Sequence, residues 1–181
     1  MHFCLVDLVA DITQNATEAC ASLVELEVTS KESEFRFLVK DNGKGMTEEE
    51  IKKAVDPFNT DGIKHPNRKV GLGLPFLIQT AVISNGGWDI KSEKGKWTVV
   101  TGWFDTGNID TPPVGDLPGM FRTILMFNSP AEIIIRRRKC KDGDEDKYEI
   151  IKSEVEDALG SLENAGSLVL LGEYLHSLEE D

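Results

Sequence analysis

Little in this 181-residue chain would staple or anchor it from outside. Its three cysteines, Cys4, Cys20 and Cys140, are odd in number, widely spaced and without a CxxC pair. A disulfide framework or a zinc knuckle is therefore not expected, and a reducing compartment is. No stretch approaches the roughly 20 apolar residues needed to cross a bilayer. The first residues, MHFCLVDLVAD, lack a basic segment and are broken by Asp7 and Asp11, which argues against a secretory signal and for a cytoplasmic protein. Basic residues are few as well, 20 against 32 acidic, for a net charge of −12. A broad electrostatic hold on nucleic acid or on an anionic membrane is excluded by that balance.

What remains is ordinary globular material, 40% hydrophobic and 29% charged, enough for one core without staples. The acid is unevenly spread: residues 141–181 hold thirteen carboxylates and three lysines, so ten of the twelve net negative charges lie there. The rest of the chain is near neutral and can present a local cationic pocket.

Apolar residues at helical spacing (Leu5, Leu8, Val9, Ile12, Ala16, Ala19, Leu23) predict a helix over 3–24. The alternating runs VELEVTS and EFRFLVKD predict a hairpin, and Thr47 with Glu50 forms a capping box before TEEEIKKAV. Residues 56–70 read as a long loop, GLGLPFLIQTAVIS as a helix, and WDIKSEKGKWTVVTGWF as a second hairpin turning at 94–96. Then come loop, a short apolar helix or strand in MFRTILMFN, a third hairpin around KCKDGDED, and two closing helices. Adjacent strand pairs point to an α+β fold: a mixed, mostly antiparallel sheet with helices on one face. The expected division is a main domain over 1–128 and an acidic C-terminal extension over 129–181.

Three clusters can carry chemistry. Asp11 and Asn15, four apart, share a helix face and offer a carboxylate and an amide oxygen, a donor set suited to a largely hydrated Mg²⁺; Glu18 lies on the same side. A solvated polar stripe is the alternative. Asp41-Asn-Gly43-Lys-Gly45-Met46 follows a strand, where glycines allow close approach to a flat ligand and a buried carboxylate can accept from an amine; the alternative is a plain turn. Gly71-Leu72-Gly73-Leu74 opens a helix behind Arg68 and Lys69, so free N–H groups, the helix dipole and two cations favour a phosphate. It matches neither GxxxxGK[ST] nor GxGxxG.

In this order, D-x-x-x-N on a helix, DxGxG after a hairpin, a polar lid and GxG at a helix start resemble the gyrase–chaperone–histidine kinase–MutL (GHKL) ATPase superfamily over about residues 5–104. The stretch DPFNTDG…RKVGLGLPF is similar to the nucleotide boxes of sensor-kinase catalytic domains, and SEKGKWT (92–98) to their terminal hairpin. The resemblance implies a Bergerat two-layer α/β sandwich that binds ATP with Mg²⁺. Asn15 would hold the metal, Asp41 would accept from the adenine amine, and Gly43, Gly45 and Met46 would line the base pocket. Thr60, Arg68 and Lys69 would belong to the lid over 59–70, and Gly71, Leu72, Gly73 and Leu74 to the phosphate turn. Thr98 would support the adenine, with Thr123 the second candidate, and Asp11 would orient a water or an acceptor hydroxyl.

Several positions depart from the family pattern. Asp11 stands where hydrolysing members and serine-kinase members usually have glutamate, and Trp97 replaces the glycine before the hairpin threonine. None of His2, His65 and His176 lies in a phosphoacceptor-like segment. The expectation is a kinase-like regulator without its own phosphoacceptor, either hydrolysing ATP slowly or passing its γ-phosphate to a partner protein. The alternative is a non-catalytic switch whose lid orders on ATP to dock a regulatory partner. A homodimer is a further expectation, since helix faces in this superfamily often dimerise.

Overall fold

The computed structural model describes residues 4–56 and 73–180. Its elements run α1 (Leu5–Glu18), β1 (Leu23–Lys31), β2 (Glu34–Asp41), α2 (Glu48–Val55), α3 (Gly73–Ile83), β3 (Gly87–Glu93), β4 (Trp97–Asp105), α4 (Leu117–Leu125), β5 (Glu132–Lys141), β6 (Asp144–Ile151), α5 (Lys152–Leu159) and α6 (Ala165–Glu179).

One six-stranded sheet, in the order β3-β4-β2-β1-β5-β6, carries the molecule. Four strand pairs are antiparallel; β1 and β5 alone run parallel, Leu23 opposite Glu132 and Ser30 opposite Lys139. This is the α+β arrangement that the adjacent strand pairs imply. Residues 129–180 extend these same layers, adding β5 and β6 beside β1 and setting α6 against α4.

Period-2 patterning decides which face is covered. Phe35, Phe37 and Val39 on β2, Val24, Leu26 and Val28 on β1, and Ile133 and Ile135 on β5 are buried. They meet Leu5, Leu8, Val9 and Ile12 of α1, Leu77 of α3, Phe121 and Ile124 of α4, and Leu171 and Leu175 of α6 in one core. Phe104 lies 6.4 Å from Phe35 and 6.3 Å from Phe37 between ring centroids, an offset stack. Each such ring removed from water contributes roughly 1.5–3 kcal/mol. The opposite face is polar. Arg136 bridges Glu25 (2.9 Å) and Glu149 (2.7 Å), Lys40 pairs with Glu25 (3.2 Å), and Arg36 sits 5.3 Å from the Trp103 ring centroid.

Three boundaries differ from the sequence expectation. The first helix ends at Glu18, not at residue 24. Cys20 turns the chain at φ 61°, and Leu23 belongs to β1, where its backbone pairs with β5. The third hairpin closes on a two-residue Asp142-Gly143 turn, so Asp144–Asp146 are strand and not loop. MFRTILMFN resolves as helix, starting earlier at Leu117 because the Asp116 side chain accepts the Gly119 N–H. The loop before it runs back to α1: Pro113 and Val114 carbonyls accept the Leu5 and Val6 N–H groups (2.9 and 3.0 Å) that the first helical turn leaves without partners. Among the described residues, no helix is long and apolar enough to cross a membrane.

Candidate functional site

The capping box expected at Thr47 is present, its side chain accepting from Glu50 N–H and the Glu50 carboxylate from Thr47 N–H (2.8 Å). Glu50 also takes both oxygens to Lys94 Nζ (2.6 and 2.8 Å), and this ammonium holds its carboxyl below the ordinary range. The pair ties α2 to the β3–β4 turn at one end of the sheet.

The Asp41–Met46 loop lies at that end. Asn42 holds it from below: its side-chain oxygen accepts the N–H groups of Ser22 and Leu23, both at 2.9 Å, and its amide donates to Ser22 Oγ. Lys44 N–H donates to the Ala19 carbonyl (2.9 Å), Gly95 N–H to the Lys44 carbonyl (2.7 Å), and Met46 N–H to Ser92 Oγ (2.7 Å). The glycines are required by contact. A Cβ on Gly43 would stand 2.5 Å from the Ala19 carbonyl oxygen. On Gly45, whose φ is +56°, it would stand 2.0 Å from that of Glu93.

Asp41 ends β2 and is 95% buried. Its Oδ1 accepts the Gly43 N–H at 2.8 Å, and among the described residues that is its hydrogen-bond donor. Burial raises its carboxyl above the usual range, the Gly43 bond opposing this only in part. Directly across the β2–β4 pair lies Thr98, also buried, whose Oγ1 is 2.9 Å from Ser92 Oγ. Thr123 is elsewhere, exposed on α4 with its hydroxyl on the Gly119 carbonyl (2.8 Å). Register thus brings Thr98, and not Thr123, to Asp41.

Asp11 and Asn15 are exposed on one side of α1, while Leu8, Val9, Ile12 and Ala16 fill the core. Glu18, farther along, accepts from Gln14 Nε2 (3.1 Å). The first residue of α3 comes up against them: a Cβ on Gly73 would lie 3.4 Å from Asn15 Nδ2 and 3.7 Å from Asp11 Cβ. Leu74 follows in the first turn of α3, partly buried against the core. The amide, the carboxylate and a helix N-terminus therefore share one place, although 58 residues separate Asn15 from Gly73 in sequence. Thr60, Arg68, Lys69, Gly71 and Leu72, with the whole of the expected lid over 59–70, lie outside the described residues, as do His2 and His65.

The sequence reading named neither Asn42 nor Ser92 as a site residue. Asn42 sits in an Asn-Gly pair that reads as a turn, and Ser92 lies in a strand where its partners 5, 6 and 46 residues away have no periodicity to betray them.

The sequence model of the histidine kinase-, DNA gyrase B- and HSP90-like ATPase family matches residues 4–108, more than half of the chain. The protein belongs to this family, and its sheet with helices on one face is the family's Bergerat sandwich. A search of curated proteins finds no match. Membership makes this an ATP-binding domain of the GHKL type.

The residues present fit such a ligand. Among the described residues Asp41 is a buried carboxylate with a single N–H donor and no cation, which suits an amine as its second partner. Among the described residues no three His, Cys, Asp or Glu side chains are placed to hold a metal ion. A divalent cation here would rest on Asn15, with water and phosphate oxygens completing its shell, as Mg²⁺ prefers.

Proposed function

We propose that the protein binds Mg·ATP between α1, the Asp41–Met46 loop and the N-terminus of α3, and hydrolyses it slowly or passes its γ-phosphate to a partner protein. The observation that carries this reading is the approach of Gly73 to Asn15 and Asp11. It supports the reading because a helix N-terminus, an amide side chain and a carboxylate side chain come together there, groups that suit phosphate and its cation.

In this reading Asp41 accepts from the adenine amine, Thr98 supports the same edge, and Gly43, Gly45 and Met46 line the base. Gly71, Leu72, Gly73 and Leu74 supply backbone N–H groups to phosphate oxygens, and Thr60, Arg68 and Lys69 cover them from the lid. Asn15 offers its amide oxygen to the metal. Bound Mg²⁺ would neutralise phosphate charge. Asp11 orients the attacking water or the partner's hydroxyl and receives its proton, so the chain contributes chiefly by positioning and by charge.

A second reading is a non-catalytic switch, in which ATP orders the lid and a regulatory protein docks on it. It is favoured by Asp11, one methylene shorter than the glutamate usual in hydrolysing members.

Incubation with γ-labelled ATP and Mg²⁺, alongside Asn15→Ala, tests both. Free phosphate or labelled protein that disappears in the variant is the expected result and separates hydrolysis from transfer. Intact bound ATP without turnover, with and without added partner, would replace the catalytic reading by the switch. No binding at millimolar ATP would overturn both.

A further inference from the structure

The hydroxyl of Ser92 is the most heavily used at this end of the molecule, and counting its bonds fixes a proton on its neighbour. Its oxygen accepts the Met46 N–H at 2.7 Å. It lies 2.8 Å from the Trp97 carbonyl and 2.9 Å from Thr98 Oγ1. A serine hydroxyl has one proton and two lone pairs. A carbonyl only accepts, so the Ser92 proton goes to Trp97. The remaining lone pair of Ser92 can then be satisfied only by the Thr98 proton. All three bonds form together in one arrangement: Met46 and Thr98 donate to Ser92, and Ser92 donates to Trp97.

Thr98 is thereby left with lone pairs alone. It faces Asp41 across the β2–β4 register, and Asp41 is itself an acceptor whose one donor is Gly43. The two buried side chains at this edge, on their own, would admit a hydroxyl donor from Thr98. Ser92 removes it.

We propose that Ser92 is a positioning residue that locks Thr98 as an acceptor, so that Asp41 and Thr98 both present acceptors to the purine edge and select a 6-amino group over a 6-oxo group. This rests on the nucleotide-site reading above. A 6-oxo group would bring a third acceptor against Asp41 and Thr98, and such unpaired buried acceptors are costly. With Ser92 absent, the Thr98 hydroxyl is free to rotate and donate to a 6-oxo oxygen.

The test is equilibrium binding of ATP and of inosine triphosphate, which carries an oxygen at the 6-position and with it a proton on N1, without the extra 2-amino group of guanine. Wild-type protein, Ser92→Ala, Ser92→Thr and Thr98→Val are compared, each with its thermal midpoint. The expected result is strong preference for ATP in the wild type and a preference reduced about tenfold in Ser92→Ala, through weaker ATP and stronger inosine triphosphate binding. Ser92→Thr, which keeps the hydroxyl, restores the preference. Thr98→Val, which has no hydroxyl to turn, lowers ATP affinity without the gain in inosine triphosphate. Equal weakening of both nucleotides in Ser92→Ala would overturn the proposal and leave Ser92 as a brace for the Met46 loop. Absence of ATP binding by the wild type would instead overturn the nucleotide reading itself.

Discussion

Two buried ionisable groups on the strands that flank β1 are treated in opposite ways. On one side Arg137, 96% buried on β5, has its Nε on Glu179 Oε1 (3.0 Å) and its Nη1 on the Arg138 carbonyl (2.6 Å). Glu179, at the end of α6, also accepts the Tyr148 hydroxyl, whose proton is held well above its ordinary pKa by burial and then by this carboxylate. Lys139 Nζ reaches the Leu178 carbonyl beside it (3.2 Å). Charge meets charge there, and the lone pairs are filled. Asp41, buried to the same degree, has one N–H and, among the described residues, no cation. A buried charge left so poorly matched weakens a fold unless something else supplies the partner. The first group is finished by the chain and locks α6 to the sheet; the second, on the proposed reading, is completed by the nucleotide.

Breaking the finished site has the largest expected effect. Arg137→Ala leaves the partly buried Glu179 carboxylate with the Tyr148 hydroxyl but without its guanidinium and should cost about 3 kcal/mol, lowering the midpoint of thermal unfolding by roughly 10 °C, as calorimetry would show. A midpoint within a degree or two of wild type would mean that α6 is not held by this pair. Breaking the unfinished site should do the reverse to the fold. Asp41→Asn keeps an acceptor for Gly43 and removes a buried charge, so the variant should unfold at a higher temperature while ATP affinity falls about 10–100-fold. Loss of stability together with affinity would contradict the contrast.

The smallest effect sharpens the comparison by pH. Because burial raises the Asp41 carboxyl, its proton returns at a higher pH than for an ordinary aspartate. The protonated form cannot accept with both oxygens, so ATP affinity should weaken on acidification through a window above the usual carboxylate range, by at most about tenfold per pH unit. The sign for stability is opposite, since a raised carboxyl pKa favours the folded state as the pH falls through it. Titrating affinity by calorimetry from neutral to mildly acid pH, with Asp41→Asn lacking this step, checks both signs.

Much of this was legible beforehand because the signals were local. Alternation in β1 to β4, the Thr47–Glu50 box and the turn at 94–96 each depend on residues a few places apart, and each element forms where its pattern lies. The DxxxN face of α1 and the DxGxG loop were legible as a pair of motifs whose order is that of a family. What was not legible depends on distant partners. Leu23 continues the apolar spacing of α1, yet it joins a strand because β5 and the Asn42 N–H supply backbone partners there. Arg136, Arg137 and Arg138 stand in one basic run shortly before the acidic DGDED segment. Only Arg138 finds its partner inside that segment, at Glu145 (2.9 Å), while Arg136 reaches Glu25 and Glu149 and Arg137 turns inward to Glu179. Asn42 and Ser92 are of the same kind, their importance residing in bonds that cross the loop.

The parallel pairing of β1 with β5 has a consequence for how the chain comes to be folded. β1 is made well before β5, so one of its two edges gains its partner only more than a hundred residues later, when Glu132–Lys139 have been made. Until then, a hydrophobic strand of nine residues stands open along one side, the kind of edge on which a second chain can zip. Closing it late joins residues far apart in sequence, which slows folding and lengthens that exposure. The strand that completes the sheet therefore also acts as its stopper: whatever β5 and β6 add to the folded domain, they end the interval in which nascent copies can join edge to edge.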